Sequence, residues 1–459
     1  MADFIDKAQD LLEDIDMDTF FSDEEEFAPA PAPPAEDQTM TEKFANVKIY
    51  NGFSEPEYNM DDPVFLYRMF YRSFFPYKTY FHWLNYDITP ARSFTHREFS
   101  FTLANDIYLR FKSFPNGDAL KKEIERLQPA KIDIGAVYSI KPADKKTVSE
   151  KAFKPLEKEF VLDIDMTDYD DVRTCCQGGD ICLLCWEFMT IAIKIIDASL
   201  RDDFGFEHIM WVYSGRRGVH CWVCDEKARK LDNENRKAII SFLSIIKGGS
   251  QVARKVRLPV LLHPSLERSF TVVEEYFKPL LLQSMGILDT PKESHKVLMM
   301  TDDQVKEALA EKWADPTKTA HEKWEMLIKE EQKKKSKDTC ASRDIMFQYC
   351  YPRLDVKVST NINHLLKSPF CVHPKTLKVC VPIKPEECES FNPMTVPTLT
   401  KLRQEIIEHD KLPGADKTIP DYKKTSLKSY VEYFDKFVKN MLNETIKEKR
   451  GAAAMSMDF

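Results

Sequence analysis

A mixed α/β fold is predicted by three observations. Short apolar runs with strand character recur along the middle of the chain: FSFTL (99–103), IYLRF (107–111), DIGAVY (133–138), EFVLDIDM (159–166), IMWVYS (209–214) and VHCWVC (219–224). A periodic apolar helix over 183–200 stands between two of them. Strand signals return at 352–359 and 377–383, so the sheet is expected to be completed by residues far along the chain.

The elements before and after this core follow in order. The segment 27–37 reads FAPAPAPPAED, which is Pro-rich and acidic and carries too little apolar surface to fold, so residues 1–60 are expected to be a disordered arm. Phe20, Phe21 and Phe27, set among acids there, suit either a partner-docking motif or a plain solubilising tail. The aromatic run over 64–84 has helical spacing, and Pro76 is expected to divide it into two helices. Residues 61–232 form the first part of the predicted folded body. From 233 to 340 the pattern turns helical. Thr301, Asp302 and Asp303 precede Val305, Leu309 and Trp313, and a Thr319/Glu322 capping box precedes Trp324, Leu327 and Ile328. That stretch is read as a helical insertion. Residues 341–445 return to the body and end in an amphipathic helix traced by Leu427, Tyr430, Val431, Phe434, Val438 and Met441. Residues 446–459 are expected to be a flexible tail.

Composition narrows the function classes. A chain of 459 residues with 43% hydrophobic and 12% aromatic side chains can fill a large core. Its net charge of −8 argues at first against a polyanionic partner. However, residues 1–40 hold 13 acids against the single base Lys7, a balance of −12, which leaves the rest of the chain at +4. A mildly basic body permits a nucleic-acid groove without demonstrating one. The acidic N-terminus lacks a secretory layout, and no apolar run approaches the roughly 18 residues of a membrane helix. The expectation is an intracellular protein with no membrane partner. Eleven cysteines, four of them within residues 175–185, suit reduced thiols and a metal better than a disulfide framework. The basic run Lys333, Lys334, Lys335 and Lys337 suits a nuclear address or a solvated helix end.

The chemistry is expected to centre on EFVLDIDM. On a strand, Phe160, Leu162, Ile164 and Met166 share one face, and Asp163 and Asp165 stand together on the other. Paired carboxylates repel unless cations sit between them, and hard oxygen ligands suit Mg²⁺ or Mn²⁺. Two such ions about 4 Å apart support phosphoryl or nucleotidyl transfer. A bare DxD equally suits the acidic edge of a surface strand. The segment VYSGRRGVHCWV (212–223) reads as strand, tight turn and strand. Gly215 and Gly218 permit close approach of a ligand, while Arg216, Arg217 and His220 offer donors to phosphate oxygens. Taken alone it reads equally as a charged hairpin tip. In RLDVKVS, Leu354, Val356 and Val358 alternate with Asp355, which predicts a strand carrying a third carboxylate. Downstream, Asn363, His364, Lys367 and His373 are candidates for further triphosphate contacts, and Glu98 and Arg110 flank strands at the sheet's mouth or in solvent.

Cys175, Cys176, Cys182 and Cys185 form a C-C-x5-C-x2-C array with a Gly-Gly turn, the composition of a closed structural Zn²⁺ site. A rival set drawing on Cys221 and Cys224 is disfavoured, since on a strand those two face opposite sides. No GxxxxGK[ST] loop, HRD/DFG set or GxSxG elbow is present, which removes support for the usual ATPase, kinase and hydrolase routes.

Together, FVLDIDMTDYDDVRTCC, DICLLCW, WVYSGRRGVHCWVCDE, RLDVKVS and INHLLKSPFCVHP closely resemble the small, catalytic subunit of eukaryotic DNA primase, in order over roughly residues 61–445. The resemblance implies the primase catalytic ("prim") fold with an inserted helical subdomain and a small zinc-binding motif. It implies that Asp163, Asp165 and Asp355 bind two Mg²⁺ or Mn²⁺ ions, and that Ser214, Arg216, Arg217, His220, Lys367 and His373 contact the triphosphate. It makes Glu98 a further active-site acid and Arg110 an arginine near the nucleotide being elongated, with Cys175, Cys176, Cys182 and Cys185 as zinc ligands. The implied activity is synthesis of RNA primers from ribonucleoside triphosphates on a single-stranded DNA template in the nucleus. The implied partners are the primase large subunit and the catalytic and accessory subunits of DNA polymerase α. A metal-dependent phosphodiester hydrolase and a non-catalytic template-binding subunit are the alternative readings. The acidic arm and the link between Ala228 and Lys337 depart from the family pattern.

Overall fold

The computed structural model describes residues 62–104, 106–246, 252–333 and 340–457, with side chains through 447. The arm expected over 1–60 and nearly all of the Lys333–Lys337 run lie outside the described residues. The body, Leu66–Phe459, packs as one compact unit.

Pro76 divides the first aromatic run as its fixed φ and missing N–H require, giving α1 (Pro63–Ser73) and α2 (Tyr77–Asn85). Two antiparallel sheets follow. The first contains β1 (Arg97–Thr102), β2 (Tyr108–Lys112), β3 (Lys131–Tyr138) and β4 (Pro155–Glu157), in the order β2-β1-β3-β4, with α3 (Gly117–Leu127) between β2 and β3. The second contains β5 (Phe160–Asp165), β6 (Ile209–Tyr213) and β7 (Gly218–Val223), with α4 (Leu183–Asp202) between β5 and β6. Every strand expected over 99–224 is present.

Between Asn233 and Gln332 the regular elements among the described residues are helices, including α5 (Asn233–Leu243), α6 (Pro264–Tyr276), α7 (Pro291–Leu298), α8 (Asp303–Trp313) and α9 (Ala320–Gln332). Local signals account for these starts. Asp232 accepts from the Asn235 amide, Pro264 and Pro291 occupy first-turn positions, and the Thr319/Glu322 capping box forms with both reciprocal hydrogen bonds. Val305, Leu309 and Trp313 face inward at helical spacing, and Trp324 packs on Phe277 at 4.6 Å between ring centroids.

After α10 (Ala341–Cys350) the structure departs from the expected strands. Residues 352–359 are not a strand: Asp355 caps the short helix α11 (Val356–Thr360), accepting from the amides of Lys357 at 2.8 Å and Val358 at 3.3 Å. An aspartate carboxylate that satisfies two helix-start amides outweighs the alternation of three apolar side chains. Over 377–383 only β9 (Pro382–Ile383) is a strand: Leu377 opens the stretch at a positive φ of 54°, and Lys378 and Val379 make only isolated bridges, to Thr398 and Val372. Each sheet nonetheless gains a late strand. β8 (Leu366–Lys367) pairs with β3, and β9 pairs with β6. The chain closes with α12 (Leu399–Asp410) and α13 (Lys428–Met457), the latter running into the stretch read as a tail. Phe434 of α13 meets Trp83 of α2, which meets Trp222 of β7, at 5.8 and 5.4 Å and near-perpendicular ring planes. Such pairs contribute about 0.5–1.5 kcal/mol each beyond burial. No helix among the described residues is long and apolar enough to cross a membrane.

A buried ion pair spans the two sheets. Arg97 of β1 grips Glu159, which directly precedes β5, through Nη1 at 2.8 Å and Nη2 at 2.9 Å, and both side chains are fully buried. The remaining polar atoms are satisfied. Arg97 also donates to the Ser93 and Gly135 carbonyls, Tyr86 donates its hydroxyl to Glu159 Oε1 at 2.6 Å, and Arg236 of α5 donates to the Glu159 carbonyl. Burial pushes the Glu159 carboxyl up, but the Arg97 guanidinium and the hydrogen bonds from Tyr86 and Arg97 outweigh it and hold the group at about 2. A folded-state value below the ordinary 4.5 gives stability that is present above pH 4.5 and lost as pH falls toward 2. Glu159→Gln, which strands the Arg97 charge, is expected to destabilise the protein at pH 7 by about 3–5 kcal/mol. It is also expected to flatten the acid limb of the stability profile, so that urea unfolding between pH 5 and pH 3 weakens the variant less than the wild type. An acid limb as steep in the variant as in the wild type would contradict this assignment.

Candidate active site

The register of β5 against β7 sets the site. Antiparallel pairing places Asp163 opposite His220 and Asp165 opposite Gly218, so the two carboxylates on one face of β5 meet the Ser214–Gly218 turn that β6 and β7 carry. His220 Nε2 lies 3.6 Å from Asp163 Oδ1. The third acid arrives through the backbone, because the Asp355 amide donates to the Asp163 carbonyl at 3.0 Å. The carboxylate expected on a strand therefore reaches the pair from the start of a helix.

The turn's two glycines answer different constraints. Gly215 has φ +87°, and a Cβ there would stand 2.6 Å from His373 Cβ. Gly218 is required by proximity: a Cβ would lie 2.3 Å from the Ile164 carbonyl oxygen of β5. The turn is tied from within and below. The Gly218 amide donates to Ser214 Oγ at 3.0 Å, Tyr213 Oη donates to the Arg216 carbonyl at 2.9 Å, and Thr376 Oγ1 donates to the Gly215 carbonyl at 2.7 Å. Lys367 of β8, in the first sheet, donates to the Ser214 carbonyl at 2.8 Å at the end of the second.

Between these elements lies a cavity of about 290 Å³, lined by Asp163, Asp165, Ser214, Arg216, Arg217, His220, His364, Lys367 and His373, with Lys131, Val358, Leu365 and Leu366. Nine residues singled out from the sequence are thus brought to one place. A cavity of about 750 Å³ along α13 is larger, yet its lining mixes Glu207, Glu432 and Glu444 with Lys384 and Lys436 and gathers no comparable cluster.

The electrostatics show strain in the acids. Burial, then the charges of Asp165 and Asp355, push the Asp163 carboxyl up to about 7. Burial also raises Asp165, but hydrogen bonds from the Thr167 hydroxyl and amide and from Arg217 outweigh it and hold that group below its ordinary range. Arg217 Nε meets both Asp165 oxygens, at 2.7 and 2.9 Å, so one arginine of the turn is already engaged with an acid. Asp168 is raised by burial, then by Asp165 and Asp355. Two acids raised by neighbouring carboxylates, Asp163 and Asp168, with hard oxygen donors converging, fit divalent cations. The histidines are held neutral. Burial, then Lys367, lowers His220 to about 3 and His373 to about 4, and burial followed by Lys158 lowers His364.

Glu98 and Arg110 fall elsewhere. Neither lines the cavity. Glu98 is fully buried in β1, accepting from Arg110 Nε at 2.9 Å, the Phe111 amide at 3.3 Å and Tyr138 Oη at 3.2 Å, so it stands neither at an open mouth nor in solvent. A Cβ on Gly135 would lie 3.0 Å from Glu98 Cβ and 2.8 Å from Leu365 Cδ2, which puts Glu98 one layer behind the Leu365 wall. Two residues escaped the sequence reading. Lys131, ion-paired to Asp133 at 2.9 Å, looked like an ordinary strand start, and Asp168 was available as the third acid in DIDMTD.

Cys175, Cys176, Cys182 and Cys185 come together with all four Sγ atoms within 4.8 Å of one another. A tetrahedral zinc with bonds of ~2.3 Å spaces its sulfurs about 3.8 Å apart, and Cys182 Sγ to Cys185 Sγ is 3.9 Å, so the set fits that ion. The buried Arg173 organises the loop, donating to Asp170, the Gly178 carbonyl and the Asp180 carbonyl. Cys221 and Cys224 are fully buried, and Cys224 accepts from Trp83 Nε1 at 3.3 Å, which accounts for it without a metal.

Comparison with known proteins adds the family. The family model described as DNA primase small subunit matches residues 162–385, which span both aspartate motifs, the cysteine loop and the Arg-Arg turn. The chain is 41% identical to the DNA primase small subunit of Schizosaccharomyces pombe over 83% of its length and 90% of the relative's. It is 39% identical to that of Drosophila melanogaster over 88% and 96%, and 34% identical to that of Saccharomyces cerevisiae over 83% and 93%. Identity at this level over nearly the full length of these relatives means that the chain belongs to the DNA primase small subunit family.

Proposed function

We propose that this chain is the catalytic subunit of a DNA primase, a DNA-directed RNA polymerase that makes short RNA primers on single-stranded DNA for replication. One observation carries the reading: Asp163 and Asp165 share a single cavity with Arg216, Arg217, Lys367 and three histidines, and Asp355 stands close enough behind them to act on Asp163. A hydrolase of phosphodiesters has no use for so many donors aimed at one polyphosphate.

Asp163, Asp165 and Asp355 would hold two Mg²⁺ or Mn²⁺ ions, which when bound activate an attacking 3′-hydroxyl and stabilise the departing pyrophosphate. The protein's own groups do the rest by positioning and charge. Arg216 and Lys367 neutralise the triphosphate, and Arg217, which meets Asp165 through Nε, keeps its terminal nitrogens for phosphate oxygens. Ser214, His220, His364 and His373 supply short-range donors, each neutral imidazole offering one N–H. Glu98 and Arg110 form a paired second layer, and their assigned place is beside the nucleotide being elongated. No side chain serves as a dedicated base, so orientation and electrostatics account for the rate.

The finer assignments belong to the same reading. The fold is the prim fold, residues 233–340 are its inserted helical subdomain, and the four-cysteine loop is a structural Zn²⁺ site. The primase large subunit, the catalytic and accessory subunits of DNA polymerase α, a single-stranded DNA template and ribonucleoside triphosphates are the partners. The nucleus is the place of work. Incubating the purified chain, with and without a large subunit, on single-stranded DNA with ribo- or deoxynucleotides tests the whole reading, which requires template-dependent RNA products.

Asp165→Asn is expected to lower primer synthesis at least ~100-fold while thermal stability changes by no more than about 1 kcal/mol, since a part-exposed pair is lost. A variant that still primes near the wild-type rate would remove Asp165 from the metal site. Cys182→Ser isolates the zinc ligand, because Cys182 caps α4 and serine is itself a favourable cap. Atomic emission is expected to read less than one zinc per chain, with a lowered melting temperature. Full zinc occupancy in that variant would show that Cys182 is not a ligand.

A further inference from the structure

We propose that Gly179, in the four-cysteine loop, is a positioning residue for Arg216: its missing side chain makes the seat on which that guanidinium lies. The proposal rests on the triphosphate-binding role assigned above to Arg216 and adds a determinant from a different part of the chain.

A Cβ built on Gly179 would stand 1.9 Å from Arg216 Nη2, 2.7 Å from Cζ and 3.4 Å from Nε. The guanidinium therefore lies flush against the Gly179 backbone, at a spacing that no other amino acid at 179 permits. The adjacent Gly178 differs, since a Cβ there would meet nothing within 4 Å and the requirement is its positive φ of 58°. One glycine shapes the loop and the next faces the arginine.

The seat is firm where the arginine is flexible. Arg173, buried beneath the loop, holds the Gly178 carbonyl at 3.0 Å and the Asp180 carbonyl at 2.8 Å, the two positions that bracket Gly179. Asp170 accepts from the Gly178 amide at 3.0 Å, and the Asp180 amide returns to the Gln177 carbonyl at 3.2 Å. Among the described residues the polar tie on Arg216 is at its backbone, through its carbonyl to Tyr213 Oη, and its side chain reaches along the cavity wall. A long side chain without an anchor samples many rotamers, and ordering it opposes ligand binding by up to ~2 kcal/mol. A backbone surface that removes part of that freedom beforehand favours the bidentate phosphate contact. The same geometry explains why a methyl at 179 leaves the fold intact. The group it meets is the free end of a flexible side chain, which swings away at little cost to stability.

Equilibrium binding of ATP to the full zinc-loaded chain with Mn²⁺, together with ATP KM and kcat in template-dependent primer synthesis, tests the inference on Gly179→Ala, Arg216→Ala, the double variant and Gln177→Ala. Gly179→Ala is expected to weaken ATP binding and raise KM about three- to thirtyfold, the ordering cost that the seat no longer removes beforehand. Its kcat, zinc content and melting temperature should stay near wild type, and Gln177→Ala should match wild type throughout. In the Arg216→Ala background the Gly179→Ala penalty is expected to vanish. Unchanged ATP affinity in Gly179→Ala, or a penalty of equal size without Arg216, would overturn the proposal, as would loss of zinc with the weakened binding. If the wild-type chain neither binds ATP nor makes primers, it is the functional reading that fails.

Discussion

The two sheets are held at a fixed relation by a charge pair that has no access to water. Arg97 of the first sheet and Glu159, in the short link that carries the chain from β4 into β5 of the second, are both fully buried and meet through two parallel hydrogen bonds. Burial of such a pair is costly unless every remaining polar atom finds a partner. Here Tyr86, Ser93, Gly135 and Arg236 supply those partners. The consequence is positional. Glu159 is the residue from which β5 departs, so the tie sets where Asp163 and Asp165 emerge relative to β3 and β8, and hence where Lys367 can cross to the Ser214 carbonyl.

The site uses the same low-dielectric surroundings in the opposite sense. At the sheet tie, burial is compensated and Glu159 remains an anion well below its ordinary range. At the cavity it is left uncompensated, and Asp163 rises to about 7 beside two further acids. The difference is the count of positive neighbours. Arg217 bonds Asp165 directly, while Asp163 and Asp168 stay raised in a field that favours divalent cations. Substrate recognition is arranged around that field, with His220 beside Asp163 and with His364, Lys367 and His373 lining the same cavity.

Legibility varied with the range of the interaction responsible. The strands over 99–224 were readable because half-buried and buried sheets impose their periodicity on neighbouring residues, and Pro76 broke the first helix for a reason internal to one residue. The four cysteines were readable because their ligand spacing is itself local. Asp355 was given the wrong element, since the helix cap uses two amides that no apolar pattern reveals. Leu377 opens the expected strand in a backbone conformation that its side chain does not announce, and Lys378 and Val379 pair only through isolated bridges. Glu98 looked like a surface acid until β2 and β3 folded Arg110 and Tyr138 over it. Lys131 carried no signal at all, because a lysine at a strand start is ordinary until β8 pairs alongside it.

The amino-acid sequence by itself determined the class of fold, the side-by-side carboxylates, the Arg-Arg turn, the zinc-binding composition and the family likeness. Each is a property of residues near one another in the chain, governed by periodicity, turn geometry or ligand spacing. Only the tertiary structure decided the partners across distance: Asp163 opposite His220, Asp355 bonded to the Asp163 backbone, Lys367 bridging the sheets, and Arg216 resting on Gly179. Those contacts depend on strand register and on the buried tie between sheets, which arise from packing the whole body at once. No local pattern encodes where two such distant segments will meet.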